Sequence, residues 1–215
     1  MSMEMRASVS SSDSSNSSLP KRYFNLAGSG YIALEAIGKG RVCTAVNQNF
    51  DNPVAIKRVC GAFASSTTMK RALREVRILR HVNHRNLISL TDVFCADAQD
   101  RITQEVYIVT PLMDSDLGEI IRSTQSIISE PEAISYIMLQ ILRGLRHIHS
   151  VGVIHRNLKP ENILINVDCR VRIADFGAAR SLTQHVDNNI IGITVIEQTA
   201  LLHRLMPISQ LCHIR

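Results

Sequence analysis

None of the five cysteines stands at C-x-x-C spacing to another, and none joins a metal-ligand grouping. Cys43, Cys60, Cys95, Cys169 and Cys212 are scattered thiols, which argues against a disulfide-stapled or zinc-held domain and for a reducing compartment, cytosolic or nuclear. No stretch approaches eighteen consecutive apolar residues and the first residues hold no hydrophobic signal-type segment, so neither a membrane span nor a secretory signal is expected. Charge is only slightly lopsided: 24 Lys and Arg against 19 Asp and Glu give +5. That suits a phosphate-bearing ligand but is too small to argue for nucleic acid. Tryptophan is absent, and the last of four tyrosines is Tyr136.

The 215 residues allow one ordinary domain, or one and part of another, and 45% hydrophobic with 20% charged residues is normal for a globular chain with a real core. Residues 1–20 contain nine serines and almost nothing able to enter a core, which reads as a disordered tail. From Tyr31 the pattern changes. "YIALEAI" and "RVCTAVN" are short and strand-like, and Gly38 and Gly40 between them suggest a hairpin. "PVAIKRV" (53–59) reads as a third strand. "TTMKRALREVRILRHV" follows with Leu73, Val76 and Leu79 at helical spacing and Arg71, Arg74, Arg77 and Arg80 on the other face, read as a solvated helix face. "NLISLTDVF" and "EVYIVTPLM" read as two more strands.

Pro131 opens a long helix whose apolar stripe is Ile134, Ile137, Met138, Ile141, Leu142, Leu145 and Ile148. The strand-like runs "NILIN" and "RVRIAD" come next. A β-rich part followed by a helical part leaves a cleft between them, a favoured place for a ligand. From Asn189 the composition shifts again: "NIIGITVIEQTALLHRLMPISQLCHIR" has no Asp or Lys, and Glu197 is its only carboxylate.

Three elements together suit a nucleoside triphosphate. The Gly38–Lys39–Gly40 turn lets backbone N–H groups approach phosphates. Lys57, on a strand facing the cleft, can neutralise phosphate charge. "HRNLKPEN" and "DFG" supply Lys159 to meet a phosphoryl group, and Asn162 and Asp175 as hard oxygen ligands of the kind Mg2+ prefers. Each signal is weak alone, since a lone GxG is common, a strand lysine can snorkel and an Asp before Gly can be a turn former. Their order and separation make the set specific.

"VAIK", "HRNLKPEN" and "DFG" resemble the protein-kinase signature set. "RALREVRILRHVNHRNLISL", "YIVTPLMDSDL" and "QILRGLRHIHSVGVIHRNLKPEN" resemble the mitogen-activated protein kinases, in their stress-activated branch, from about Tyr23 to Arg180. The resemblance implies an α+β, two-lobe kinase-like fold: a β-rich N-lobe with hinge over 21–113, the first part of a helical C-lobe with catalytic loop and DFG over 114–180, and a divergent tail over 181–215. It implies ATP and Mg2+ as cofactors. Lys57 would contact the α- and β-phosphates and pair with Glu75, for which a surface i,i+4 pair with Arg71 is the alternative. Ile37, Gly38, Gly40 and Val42 would lie over the nucleotide. Ala55, Val42 and Leu164 would sandwich the base, or serve as ordinary core. Thr110 would be the gatekeeper, the backbone at Leu112 and Met113 would meet adenine, and Asp116 would lie near the ribose. Asn162 and Asp175 would hold the metal, and His155 would stack beside Phe176 as a core histidine. Partners would be proteins of a mitogen-activated kinase cascade, a scaffold, an upstream kinase or a substrate, with no nucleic acid and no membrane.

The sequence departs from that family in three places. Asn157 occupies the catalytic-base position, where an amide can orient a hydroxyl but cannot take its proton. The glycine loop is three residues short when "VCTAVNQNFDNPVAIK" is aligned, with Cys43 where direct counting puts the third glycine. Beyond DFG, the lack of Tyr and Trp leaves no Thr-x-Tyr or T-R-W-Y-R-A-P-E block, and the large supporting helices are missing, so the 131–149 helix is expected to expose an apolar side. Three readings stay open: a catalytically impaired relative acting by binding, a weak Ser/Thr kinase, and a poorly folding product.

Overall fold

The computed structural model describes residues 24–37, 40–96, 104–123 and 131–181. The Ser-rich residues 1–20, Gly38, and the divergent stretch beyond Ser181 lie outside them.

Five strands form one antiparallel sheet in the order β1-β2-β3-β5-β4: β1 (Tyr31–Ile37), β2 (Val42–Asn47), β3 (Phe50–Val59), β4 (Asp92–Cys95) and β5 (Val106–Pro111). Ile37 pairs with Val42, so the expected hairpin is real and only residues 38–41 connect its strands. Gly40 sits there at φ +72°, a left-handed backbone that favours glycine. Both faces of the sheet are covered, and period-2 alternation assigns the side chains. On β5, Tyr107 and Val109 join Phe24, Tyr31, Cys43, Val54 and Ile56 in an outer cluster, while Val106 and Ile108 join the inner core. Stacked Tyr31, Phe94 and Tyr107 rings, with centroids 5.9 and 5.1 Å apart, fill the outer face.

The helix α1 (Ser66–His81) starts where the Ser65 side chain accepts from the Thr68 N–H, and packs on the inner face. Its buried residues are Ala72, Glu75 and Leu79, whereas Leu73 is exposed. Of the expected stripe Leu79 is buried and Val76 packs half-buried against the core, but Ala72 and Glu75 take the place of Leu73: the inner face accepts a carboxylate because a strand lysine meets it there.

The segment read as a strand over 86–94 is one only from Asp92 to Cys95. Before it the chain crosses to the helical half. The Asn86 carbonyl accepts from the Ile173 N–H and the Ile88 N–H donates to the Ile173 carbonyl, both at 2.9 Å, with Leu87 and Ile88 buried. The pairing that its apolar sequence suggested is made with a distant strand.

In the helical half, β6 (Ser115–Asp116) leads into α2 (Leu117–Arg122), whose N-terminus Asp116 caps through its Oδ1 and the Glu119 N–H at 2.8 Å. The long α3 (Pro131–Ser150) follows, then β7 (Val153–Ile154), β8 (Ile163–Ile165), β9 (Val171–Ile173) and β10 (Arg180–Ser181), with β6-β8-β9 as one small sheet and β10-β7 as another. α3 buries Ile134, Ile137, Ile141, Leu145 and Ile148 as expected, but Leu142 is 55% exposed and Gln140 is buried in its place. The Gln140 Oε1 accepts from the Asn86 Nδ2 and the Val171 N–H at 3.0 Å each, and its Nε2 donates to the Cys169 carbonyl at 2.7 Å. Gly144 permits this approach, because a Cβ there would lie 3.0 Å from the Asn86 carbonyl oxygen and the Ile173 Cδ1. On the other side of α3, Tyr136, Leu139 and Leu142 are exposed, the apolar face the sequence led us to expect. No helix among the described residues is long and apolar enough to cross a membrane.

Candidate functional site

A cleft of about 630 Å³ lies between the sheet and the helical half. Ile37, Val42 and Ala55 line it from β1–β3, Thr110, Leu112 and Met113 from the end of β5 and the segment after it, and Asp116, Asn162, Leu164 and Asp175 from the helical half. Gly40 is described but is not part of the lining. The cleft also takes in Arg41, Thr44, Ile88 and Ala174, which the sequence reading passed over. Ala174 directly precedes Asp175 and was findable. Ile88 was hidden by the strand assigned to its segment. The Leu112 N–H donates to the Pro53 carbonyl at 3.4 Å, while the Met113 N–H has no hydrogen-bond partner among the described residues. Of the two, Met113 is the donor left for a ligand in the cleft.

Alternation along β3 places Val54 and Ile56 in the core and turns Ala55 and Lys57 to the cleft. The Lys57 Nζ donates to both Glu75 carboxylate oxygens at 2.9 Å and to the Asp175 Oδ1 at 3.0 Å. Glu75 thus pairs with Lys57 across the inner face, and the surface pair with Arg71 does not form. Burial raises the Glu75 pKa despite the lysine. Burial would lower the Lys57 pKa, but the Glu75 and Asp175 charges outweigh it and hold the ammonium above its ordinary range. Asp175 moves the other way: burial opposes ionisation, yet the adjacent Lys57 keeps its carboxyl below the usual value.

The loop after β7 is organised by hydrogen bonds among the residues the sequence singled out. His155 is buried, stacks edge-on against Phe176 with centroids 5.0 Å apart, and its Nε2 lies 2.9 Å from the Ala174 carbonyl. Only Nε2–H can donate to that carbonyl, so Nδ1 is left to accept from the Asn157 N–H at 3.3 Å. Burial lowers the His155 pKa, consistent with a neutral core histidine. The Asn157 Nδ2 donates to the Asp175 Oδ2 at 3.3 Å, and the Asn162 Nδ2 donates to the Asn157 carbonyl at 2.7 Å. Asp175 adopts φ +64° and Arg156 φ +68°, left-handed conformations that cost non-glycine residues energy and persist because these bonds hold them. Lys159 is exposed outside the cleft lining, and its charge also depresses the Asp175 pKa.

The arginines of α1 do not form one uniform solvated face. Arg71, Arg77 and Arg80 are exposed, but Arg74 is half-buried and its Nη1 donates to the Gly177 carbonyl at 2.6 Å. Burial and then the charges of Arg180, Arg156 and Arg71 lower the Arg74 pKa, so guanidinium groups from three segments lie near one another: Arg71 and Arg74 on α1, Arg156 after β7 and Arg180 on β10.

The donor set can be tested for a divalent cation. Among the described residues no three His, Cys, Asp or Glu side chains gather as metal ligands. Asp175 and Asn162 both line the cleft, and because the Asn162 Nδ2 is spent on Asn157, its Oδ1 is the acceptor that remains. One carboxylate and one amide oxygen fit Mg2+ only when phosphates complete the shell. The Asp175 Oδ2 already accepts from Asn157.

Comparison with known proteins agrees with this architecture. Residues 31–198 match the protein kinase domain family. Over 157 residues, 70% of the chain and 42% of the relative, it is 48% identical to mitogen-activated protein kinase p38b of Drosophila melanogaster. It is 42% identical to mitogen-activated protein kinase HOG1B of Wallemia ichthyophaga over 70% of the chain and 39% of that protein, and 43% identical to mitogen-activated protein kinase 6 of Oryza sativa subsp. japonica over 70% and 40%. The chain spans about two fifths of the length of these relatives. With the family matched over most of its length and its cleft built from the same motifs, the chain belongs to the protein kinase domain family, within the mitogen-activated protein kinase group.

Proposed function

We propose that this chain is a nucleotide-binding, catalytically impaired member of the mitogen-activated protein kinase group that acts by engaging proteins of a kinase cascade. One observation carries the reading: at the catalytic-base position stands Asn157, and its amide donates to Asp175.

The adenine base sits between Val42 and Ala55 above and Leu164 below, behind Thr110, with the Met113 N–H as its donor and Asp116 near the ribose. Lys57, held by Glu75, takes the α- and β-phosphates. Asn162 and Asp175 would hold Mg2+, which would offset the negative charge of the phosphates. The residues 38–41 are too few to fold a glycine-rich loop over the phosphates, so the cleft covers them poorly.

Phosphotransfer needs a group that accepts the substrate hydroxyl proton. An amide has no such capacity, and loss of a positioned base costs roughly 10²- to 10⁴-fold in rate. Lys159 remains to meet the phosphoryl group, and Asn157 can still orient a hydroxyl. The intact Lys57–Glu75 pair at 2.9 Å favours a second reading, a weak ATP-dependent Ser/Thr kinase with residual activity.

A phosphotransfer assay on a Ser/Thr protein substrate tests the proposal, with Lys57→Met as the control. We expect wild-type incorporation indistinguishable from the control, together with capture of cascade proteins by the purified chain. Robust phosphorylation abolished by Lys57→Met would establish the second reading. A rise on Asn157→Asp would show that the base is the missing part.

A further inference from the structure

Both oxygens of the Asp175 carboxylate are already engaged. Oδ1 accepts from the Lys57 ammonium at 3.0 Å and Oδ2 from the Asn157 amide at 3.3 Å. The amide is itself positioned: the Asn157 carbonyl accepts from Asn162 at 2.7 Å and its N–H donates to His155 at 3.3 Å. The other cleft carboxylates are committed elsewhere: Asp114 accepts from the Val167 N–H, Asp116 caps α2, Glu119 accepts from Ser115 and Glu161 from Arg122.

We infer that Asn157 is a positioning residue that supplies Asp175 with the contact a divalent cation would otherwise make, so that nucleotide enters this cleft with little dependence on Mg2+. A cation approaching the Asp175 Oδ2 has to displace a fixed donor, and it meets one carboxylate whose other oxygen is held by an ammonium. Asp at this position would instead place a second negative charge beside Asp175, and a cation would relieve the repulsion between them. The substitution thus does two things at once, removing the base and uncoupling nucleotide from metal. The inference rests on the nucleotide-binding reading above.

The test is the ATP dissociation constant of the full chain, measured by calorimetry in millimolar Mg2+ and again in excess EDTA. For wild type we expect the two values to agree within about threefold. For Asn157→Asp we expect EDTA to weaken binding by about tenfold or more, the effect of restoring one charge at a partly screened site. Asn157→Ala, which removes the donor without adding charge, is expected to fall between them and serves if the aspartate variant does not fold. Titration with Mn2+ alone gives an independent readout, with weaker uptake by wild type than by Asn157→Asp. A wild-type affinity that collapses in EDTA, or a metal dependence equal in all three proteins, would overturn this inference and leave nucleotide binding intact. No ATP binding under either condition would overturn both.

Discussion

Lys57 on β3 bridges Glu75 at 2.9 Å and Asp175 at 3.0 Å, joining the sheet, α1 and the helical half through one ammonium group. The bridge is electrostatic and structural together, because Glu75 is 6% exposed and has no other side-chain partner among the described residues.

Lys57→Met is therefore expected to destabilise the chain as well as weaken nucleotide binding. Leaving a buried carboxylate unpaired costs several kcal/mol, and the partial exposure of Lys57 reduces this to about 2 kcal/mol. The pH dependence has a definite sign. A carboxyl whose folded pKa is raised favours folding below its unfolded pKa and loses that contribution as pH rises. The deficit of Lys57→Met should thus shrink as pH falls toward the carboxylate range. Denaturation of both proteins across pH checks this, and Glu75→Gln in the Lys57→Met background should recover part of the loss.

His155 gives the opposite slope. Its pKa is lowered by burial, so below the ordinary histidine range the unfolded chain takes up a proton that the folded chain refuses. Stability should fall as pH drops through that range. His84, through burial and then the charge of His147, and His149, through burial, shift the same way, so His155→Gln should reduce the slope without removing it. Melting curves at neutral and mildly acidic pH, compared between the two proteins, decide the point.

Much of this was legible from residues. The strands around Lys57, the bounds of the long helix and many members of the cleft followed from period and motif, because each is set by local alternation or by a motif of fixed spacing, although Gly40 and Lys159 lie outside the lining and Arg41, Thr44 and Ile88 were not expected in it. What escaped was non-local. Gln140 is polar at a position that helical spacing assigns to the edge, and only the approach of Asn86 and Val171 makes it core. The 86–88 segment has strand composition but bonds to Ile173, far along the chain. The Asn157–Asp175 bond joins two motifs whose separation in sequence says nothing about which atoms meet.

Gln140→Leu tests the first of those. The substitution keeps the volume nearly constant but strands the Val171 N–H and the Cys169 carbonyl and takes one of two acceptors from the Asn86 Nδ2, which still donates to the Val171 carbonyl. Buried groups left without partners cost about 1–3 kcal/mol each, and partial rearrangement brings the expected loss to about 3 kcal/mol. Urea denaturation should show a lower midpoint at an unchanged slope.

The exposed row on α3 predicts a different response. Leu142→Lys should change stability by no more than about 0.5 kcal/mol, as for a surface position, and should raise the concentration at which the chain stays monodisperse. Light scattering and a melt on the same sample measure both. A loss of about 2 kcal/mol would mean that the side chain is covered.

Thermal unfolding of the purified chain with and without millimolar ATP tests the central claim most directly. Ligand at 100 times its Kd stabilises a folded state by about 2.7 kcal/mol, which for a chain of this size is a rise in Tm of roughly 5–10 °C. The account predicts a single cooperative transition that moves up by several degrees and does so without phosphotransfer. A cooperative transition that ATP leaves in place, or no transition at all, would contradict it.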